Sequence, residues 1–249
     1  MGLHTLSGVT ARKPQRGYRP PSVVHETTLT AVLAQIGKPP LEAKQHSFLA
    51  ADQSASDTRL FYAGSIDLLK RASVAIVGAR AVTLDGERRA RRLARELSLG
   101  GLTIVSGLAK GVDGNAHRAA LEAGGRTAAV IGTPLEQAYP AEHKELQQEI
   151  AEHHLLLSPF AAGSRVFPAN FPKRNRVMAA LTDGTVIIEA SDSSGTLHQA
   201  VECERLGRWL FILQSVVDNP ALEWPKRFAR YERTRVVRTS DDILGVLVP

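Results

Sequence analysis

From about residue 72 onward, short apolar runs alternate with amphipathic segments. Runs such as Val74–Val77 and Trp209–Leu213 have the length and composition of buried parallel strands. Between runs of this kind, Arg88–Leu99 places alanine and leucine on one helical face and arginines on the other, as an amphipathic helix does. The alternation predicts an α/β fold with a doubly wound, mostly parallel sheet.

The same pattern gives the elements their approximate bounds. The predicted strands cover residues 74–77, 102–105, 127–131, 155–157, 185–189 and 209–213. The predicted helices cover residues 88–99, 113–123, 142–152, 174–181 and 196–206.

The composition divides the chain into three segments. Residues 1–22 are rich in arginine, lysine, proline and glycine without an acid, which predicts a flexible basic tail, either in contact with nucleic acid or simply solvated. Residues 23–71 form a short helical N-terminal lead-in whose helix, Leu29–Ile36, stops at Gly37–Pro40. Residues 72–249 form the Rossmann-like domain.

Bulk composition narrows the class of protein. The 249 residues carry a formal net charge of +6 with a pI near 9.7, which favours an anionic partner. One cysteine, Cys203, excludes an intramolecular disulfide and fits a reducing cytoplasm. No apolar run approaches the ~20 residues of a membrane-spanning helix, and Met1–Arg19 lacks a signal-peptide apolar stretch. We expect a cytoplasmic protein without a membrane partner.

The strongest chemical signal is the run Phe171–Arg176, Phe-Pro-Lys-Arg-Asn-Arg, with no acidic residue between Glu152 and Asp183. Three cations and an aromatic ring in what the pattern predicts to be a loop suit phosphate groups. Glycine or small polar residues also follow several strands, at 78–80, 106–111, 132–133 and 194–196. These turns should converge at the carboxyl edge of a parallel sheet, where backbone N–H groups and helix N-termini attract anions.

Several familiar sites are missing from the sequence. There is no G-x-G-x-x-G turn, no G-x-x-x-x-G-K-[ST] loop and no paired Cys/His spacing. Asp113 is predicted to be a helix N-cap, His117 to bond Asp113 or a neighbouring loop, and Ser194 to open a helix. We therefore predict no catalytic residue, no metal and no cofactor.

In order along the chain, the motifs resemble the DNA-processing protein A (DprA/SMF) family over roughly residues 72–215. The matching pieces are Val-Gly-Ala-Arg at 77–80, Ser-Gly-Leu-Ala-Lys-Gly-Val-Asp at 106–113 followed by Ala-His at 116–117, Gly-Gly at 124–125, Thr-Ala-Ala-Val-Ile-Gly at 127–132, Tyr-Pro at 139–140, the run at 171–176, Glu-Ala at 189–190 and Ser-Gly at 194–195. The chain departs from the family pattern at four places. Ala79 replaces a usual serine, Lys110 a common arginine, Ser158-Pro159 a usual Ser-Glu, and Gln214-Ser215 a usual Pro-Gly.

The resemblance implies an extended Rossmann fold that binds single-stranded DNA in a positively charged pocket. It also implies a homodimer that delivers DNA to a RecA-type recombinase in natural transformation. Carried onto this chain, with Phe171 as a base-stacking platform, the phosphate- and nucleic-acid-binding residues are Gly78, Arg80, Ser106, Gly107, Lys110, Phe171, Lys173, Arg174, Asn175 and Arg176.

Two other functions remain open at this stage. The chain resembles, more distantly, the LOG-type nucleotide phosphoribohydrolases, for which Glu189 and Glu202 are the acid candidates and Arg176 the phosphate ligand. A nucleotide-sensing or partner-binding module is the third possibility. The leading interpretation is a binding protein rather than an enzyme.

Overall fold

The computed structural model describes residues 17–41 and 57–248. Most of the predicted basic tail, residues 1–16, therefore lies outside the described residues. Within its last part, Tyr18 is buried and donates a hydrogen bond from Oη to the Leu135 carbonyl oxygen over 2.8 Å. Burial raises the pKa of this phenol to about 12.

The strands form a single mixed sheet. In chain order they are β1 His25–Thr28, β2 Arg59–Gly64, β3 Ser73–Val77, β4 Thr103–Ser106, β5 Arg126–Val130, β6 Leu155–Ser158, β7 Gly184–Ile187, β8 Trp209–Leu213 and β9 Thr234–Val237. Their spatial order is β1-β2-β6-β5-β4-β3-β7-β8-β9. The pairs from β6 to β9 are parallel, whereas β1–β2 and β2–β6 are antiparallel.

Helices connect the strands and cover both faces of the sheet. They are α1 Leu29–Gln35, α2 Leu84–Leu99, α3 Val112–Glu122, α4 Lys144–His153, α5 Asn170–Leu181, α6 Leu197–Arg205, α7 Gln214–Val217, α8 Trp224–Phe228 and α9 Asp241–Leu247. Short 3₁₀ helices cover Ile66–Lys70 and Ala141–His143. No helix among the described residues has the length and apolar character needed to cross a membrane.

Side chains alternate between the two faces of the strands, and this alternation divides the core. Val105 and Ile187 pack in one apolar cluster with residues of α1, α5, α6 and α8. Val74 and Ile104 pack in a second cluster with residues of α2, α3 and α9, and α4 contributes to a third. The predicted doubly wound, mostly parallel α/β fold is therefore present.

The lead-in contains strand as well as helix. α1 lies within the predicted Leu29–Ile36, and Thr28 Oγ1 caps it by accepting a hydrogen bond from the Ala31 N–H. The sequence pattern did not predict β1 and β2, which flank this helix and extend the sheet beyond β6. Their pairing is antiparallel and joins residues far apart in sequence. The hydrophobic pattern of a short stretch of sequence therefore does not predict it.

The run Phe171–Arg176 is not a loop. It forms the first turns of α5, which begins at Asn170 rather than at the predicted Arg174. Pro172 is compatible with this start because the first turn of a helix needs no backbone N–H from it. The correction matters for the site, since a helix presents only part of its side chains to any one surface.

Candidate functional site

A cleft of about 380 Å³ opens beyond the carboxyl ends of β3 and β7. Four parts of the chain supply its walls: the turn after β3, the loop after β4 with the start of α3, the first turns of α5, and the turn before α6 with the first turn of that helix. The lining residues are Val77, Gly78, Ala79, Arg80, Ala109, Asp113, Phe171, Pro172, Arg174, Asn175, Met178, Ser194, Gly195, Thr196, His198 and Gln199. Ligands of open α/β sheets bind at this edge.

The turn after β3 is fixed by its backbone. Ala79 N–H donates to the Glu189 carbonyl oxygen over 2.8 Å, and the Ala79 carbonyl oxygen accepts from the Val112 N–H over 3.3 Å. At Gly78, a Cβ atom would lie 2.6 Å from Val112 Cγ2, so glycine is required for close packing. This arrangement presents Arg80 at the cleft mouth.

Arg80 is exposed and lies over an aromatic ring. Its guanidinium carbon is 5.2 Å from the centroid of the Phe171 ring. Phe171 also contacts Tyr139, with ring centroids 5.6 Å apart, and Tyr139 is exposed. The pair offers a cation and a π-face together, a combination that suits a phosphate next to a base.

Arg174 is buried in the wall of the cleft, with 5% of its surface exposed. Its Nη1 donates to the Val130 carbonyl oxygen over 2.7 Å, and its Nε donates to Asn175 Oδ1 over 2.9 Å. Gly107 leaves the space for it, since a Cβ there would lie 1.7 Å from Nη1. Burial lowers the pKa of the guanidinium, and the nearby Asp113 opposes this change. Arg174 is therefore part of the framework as well as of the lining.

Asp113 organises the loop after β4. Its Oδ2 accepts hydrogen bonds from the Gly107 N–H over 3.2 Å and the Ala109 N–H over 3.4 Å. The predicted N-cap role is wrong, because Gly111 occupies the N-cap position of α3 and Asp113 bonds the preceding loop. Burial raises the pKa of this carboxyl group, while the Arg174 charge acts in the opposite direction.

His117 does not bond Asp113. Its Nδ1 lies 2.6 Å from Thr127 Oγ1, whose hydroxyl donates to the Ile104 carbonyl oxygen over 2.9 Å. Full burial lowers the pKa of His117 to about 3, so the ring is neutral in the folded protein at neutral pH. It belongs to the core beneath the sheet edge and not to the cleft.

Five of the sequence-predicted site residues do not line the cleft. Ser106 is buried and donates from Oγ to the Ile76 carbonyl oxygen over 2.6 Å. Gly107 is buried against Arg174, and Lys110 is exposed with its ammonium 2.5 Å from Glu142 Oε2. Helical geometry separates Lys173 and Arg176 from the cleft-lining side chains of α5, which recur three and four residues apart. DNA binding by these five residues stays a prediction.

The other half of the predicted set lies together. Gly78, Arg80, Phe171, Arg174 and Asn175 all line the cleft. The turn that sequence reasoning identified at 194–196, including Thr196, lines the cleft, but that reasoning missed His198 and Gln199, which follow the turn. Their place in the first turn of a helix following β7 was the available signal, because such positions face the carboxyl edge.

The acid candidates for nucleotide hydrolysis are engaged elsewhere. Glu189 accepts from the Thr83 hydroxyl over 2.8 Å and from the Thr83 N–H over 3.3 Å. Glu202 lies 3.3 Å from Arg176 Nε and 3.5 Å from Arg205 Nη1. Neither carboxylate is among the residues that line the cleft. Within the described part of the chain, no group of three or more His, Cys, Asp or Glu side chains could hold a metal ion.

The comparisons with known protein sequences all point to the same family. A family model described as DNA recombination-mediator protein A matches residues 41–247. DNA processing protein DprA of Streptococcus pneumoniae is 44% identical over 164 residues, which cover 64% of this chain and 57% of that protein. The corresponding protein of Bacillus subtilis is 31% identical over 209 residues, which cover 84% of this chain and 70% of that protein. The chain thus spans little more than half of the S. pneumoniae relative.

Solved structures agree with these matches. The structure of DprA from S. pneumoniae aligns with a TM-score of 0.70 and 36% identity, covering 78% of this chain and 68% of that one. A structure of DNA processing protein A from Helicobacter pylori, described for its single-stranded DNA binding mode, aligns with a TM-score of 0.70 and 25% identity, covering 90% and 96% of the two chains. A molybdenum cofactor binding protein from Rippkaea orientalis, with a TM-score of 0.52, 13% identity and coverage of 71% and 94%, shares the fold alone.

Proposed function

Because this chain belongs to the DNA recombination-mediator protein A family, we propose that it binds single-stranded DNA in the cleft at the carboxyl edge of its sheet. The H. pylori relative, whose structure was described for its single-stranded DNA binding mode, supports this assignment. The observation that carries the proposal is the exposed Arg80 guanidinium over the Phe171 ring at the mouth of the cleft.

Each part of this arrangement has a role in strand binding. The Arg80 guanidinium offers paired N–H donors to a backbone phosphate, and the exposed Tyr139 extends the aromatic surface beside Phe171. Base stacking on aromatic rings tolerates any sequence because every base has a π-face. We therefore expect binding without strong sequence preference and with a preference for unpaired strands, whose bases are free to stack.

The geometry favours binding over hydrolysis. Glu189 and Glu202, the carboxylates considered for a nucleotide hydrolase, lie outside the cleft lining and have hydrogen-bond or ion-pair partners of their own. Asp113 lines the cleft but uses its Oδ2 to hold the Gly107 and Ala109 N–H groups. A non-enzymatic role is thus the function that these contacts support best.

The decisive experiment replaces Arg80 with alanine and measures binding of a labelled single strand and a matched duplex by fluorescence anisotropy across a salt series. Loss of one phosphate contact should weaken single-strand binding and reduce the slope of log K against log salt by about 0.7. Arg88→Ala is the matched control, because its side chain on α2 is 78% exposed, lies outside the cleft lining and pairs with the exposed Asp85. An Arg80→Ala slope equal to that of the wild type would refute a phosphate at Arg80.

The wider role is also part of the proposal. We propose that the chain acts in the cytoplasm as a homodimer that delivers the bound strand to a RecA-type recombinase during DNA uptake; the description of its family as a recombination mediator supports the delivery step. Sedimentation of the purified chain tests the dimer. Strand exchange by a RecA-type recombinase, with and without this protein and its Arg80→Ala variant, tests the delivery.

A further inference from the structure

A second cavity opens at the carboxyl ends of β8 and β9. Its volume is about 380 Å³, within the range of roughly 300–1,000 Å³ that small-molecule sites occupy. The residues that follow these two strands and one side of α2 form its walls. It has no lining residue in common with the cleft that we assign to single-stranded DNA.

Three arginines from two distant segments line this second cavity. Arg89 and Arg92 are three residues apart on α2 and therefore lie on the same side of that helix. Their side chains are 35% and 68% exposed, so both are accessible to a ligand from solvent. Arg238 is also exposed and directly follows β9, whose Val237 pairs with Leu213 at the end of β8.

The carboxylates beside the two arginines of α2 bind them only weakly. Arg92 Nε lies 3.8 Å from Glu96 Oε1, and Arg89 Nη2 lies 4.0 Å from Glu189 Oε2. Both distances are longer than a hydrogen bond. An anion in the cavity therefore has guanidinium N–H groups available to it.

The segment that carries the third arginine is held in place by its own backbone. Asp242 Oδ2 accepts hydrogen bonds from the Arg238 N–H over 2.8 Å and from the Thr239 N–H over 3.0 Å. These bonds use the main chain of Arg238 and leave its guanidinium out of the contact. The position of the arginine is thus set before any ligand arrives.

The positive lining is a property of this cavity and does not follow from the net charge alone. Another surface cavity, beside α4, is lined by four glutamates and one arginine, although the whole chain carries a charge of +6. The cavity at β8 and β9 has three arginines and one carboxylate, Asp218. Several guanidinium groups around one hollow suit a phosphate, because each offers paired N–H donors to its oxygens.

The rest of the lining suits an organic group attached to that phosphate. Leu93 and Val237 are buried and, together with Leu213, give the cavity an apolar lining. Asp218, whose Oδ1 accepts from Gln214 Nε2 over 2.7 Å, repels a phosphate but can accept a further hydrogen bond from a hydroxyl or amino group. A nucleoside phosphate combines an anion, a sugar hydroxyl and a flat heterocycle.

We infer that this cavity binds a nucleoside 5′-phosphate as a separate small molecule, with the phosphate at Arg89, Arg92 and Arg238 and the nucleoside against the apolar lining. This inference goes beyond the proposed function and does not depend on it, since the two sites have no residue in common. If both hold, the chain carries a mononucleotide in addition to a DNA strand.

Isothermal titration calorimetry of the full chain with deoxyadenosine 5′-monophosphate (dAMP) tests the site. The wild type should bind dAMP at least about tenfold more tightly than deoxyadenosine or inorganic phosphate, each of which lacks part of the contacts. Arg238→Ala should weaken dAMP binding by about tenfold or more, the value of a charge-assisted hydrogen bond. Arg92→Ala, on a different element, repeats the test independently of the structure around Arg238. Arg88→Ala is the matched control on α2, outside the cavity lining, and should bind dAMP as the wild type does.

Several results would overturn the inference. No binding of dAMP by the wild type, or deoxyadenosine bound as tightly as dAMP, would remove the phosphate site. Inorganic phosphate bound as tightly as dAMP would indicate an adventitious ion only. If Arg80→Ala loses dAMP while Arg238→Ala and Arg92→Ala keep it, the nucleotide occupies the cleft instead.

A labelled single strand separates this inference from the proposed function. Arg238→Ala should bind the strand as tightly as the wild type, and a saturating strand should leave dAMP binding unchanged. A strand that displaces dAMP from the wild type would assign these arginines to the DNA path and overturn the separate site. If the wild type binds dAMP but no single strand, the proposed function fails and the nucleotide site stands.

Discussion

His117 shows at the scale of one residue how burial in this core determines protonation. The ring is enclosed by neighbours and bonded through Nδ1 to Thr127, and desolvation is the main cause of its lowered pKa. The charges of His143 and Arg174 act in the same direction. Because the folded protein keeps the ring neutral, acid favours the unfolded chain, in which the ring is free to take up a proton.

The pH dependence of stability follows with a definite sign. The pKa of His117 is about 3 in the folded protein and 6.5 in an unperturbed histidine. Between these values the unfolded chain binds a proton that the folded chain does not, so His117 removes about 1.4 kcal/mol of stability for each unit by which pH falls. Above pH 6.5 this loss vanishes.

Urea unfolding of wild type and His117→Gln between pH 7 and pH 4 checks this expectation. Glutamine retains a hydrogen-bonding side chain but does not titrate. As pH falls, the unfolding free energy of the wild type should therefore decrease relative to that of the variant. Parallel curves for the two proteins would show that His117 is not the group responsible.

At the scale of the element, α5 places its cationic side chains in two different environments, one in the cleft wall and one outside the cleft lining. Arg174 belongs to the face that includes Phe171 and Met178 and is buried against Gly107. Lys173 and Arg176 lie between these positions in the sequence and outside the cleft lining. Adjacent residues of one basic run therefore have different surroundings, since successive side chains on a helix point in different directions.

Arg174→Ala and Lys173→Ala should consequently behave very differently. Removing Arg174 leaves the Val130 carbonyl oxygen without its donor, removes the charge that opposes the raised Asp113 pKa, and opens a cavity beside Gly107. We expect a loss of about 3 kcal/mol in unfolding free energy. Lys173→Ala should change it by less than about 0.5 kcal/mol, as most substitutions outside the core do.

Denaturant melts of the two single variants measure this contrast directly. They also show why a combined Lys173→Ala/Arg174→Ala variant is unsuited to a DNA-binding test: any lost affinity would be confounded with lost stability. Equal unfolding free energies for wild type and Arg174→Ala would contradict the framework role of this arginine.

At the scale of the whole molecule, Asp183 ties the lead-in to the sheet. Its Oδ1 pairs with the ammonium of Lys38, which follows α1 and has a side chain only 7% exposed. Its Oδ2 accepts from the Ser73 N–H at the start of β3 over 2.8 Å. Burial lowers the pKa of Lys38, and the Asp183 charge counteracts this effect. One carboxylate thus joins three segments that are distant in sequence.

Asp183→Asn should therefore destabilise the entire fold. It leaves the buried Lys38 without a counter-charge, and breaking one side of a buried ion pair costs about 3–5 kcal/mol. Asp85→Asn is the control, because its pair with Arg88 on α2 is exposed and worth less than about 1 kcal/mol. Thermal unfolding of both variants tests the difference, and similar midpoints would mean that Lys38 gains little from Asp183.

Local pattern was sufficient for the parallel part of this protein. A short window of sequence is enough to predict β3, β8 and α2. This is because the hydrophobic pattern that marks a buried strand or an amphipathic helix lies within the element itself. The hydrophobic pattern did not predict the antiparallel strands β1 and β2. It did not predict β9 either, because the exposed residues of that strand alternate little in polarity. Strand pairing between distant segments depends on partners that a local window does not contain.

By itself, the sequence determined the α/β alternation, the placing of glycine-rich turns at one edge of the sheet and the family to which the chain belongs. Only the tertiary structure decided which side chains meet there. The start of α5 at Asn170 sets the rotation of its basic run, so that Arg174 is buried and Lys173 is not part of the cleft. The packing of α6 against β7 likewise buries Gln199 in the wall of the cleft, where its Nε2 donates to Thr185 Oγ1. Burial and helix phase are properties of the assembled fold, and composition cannot supply them.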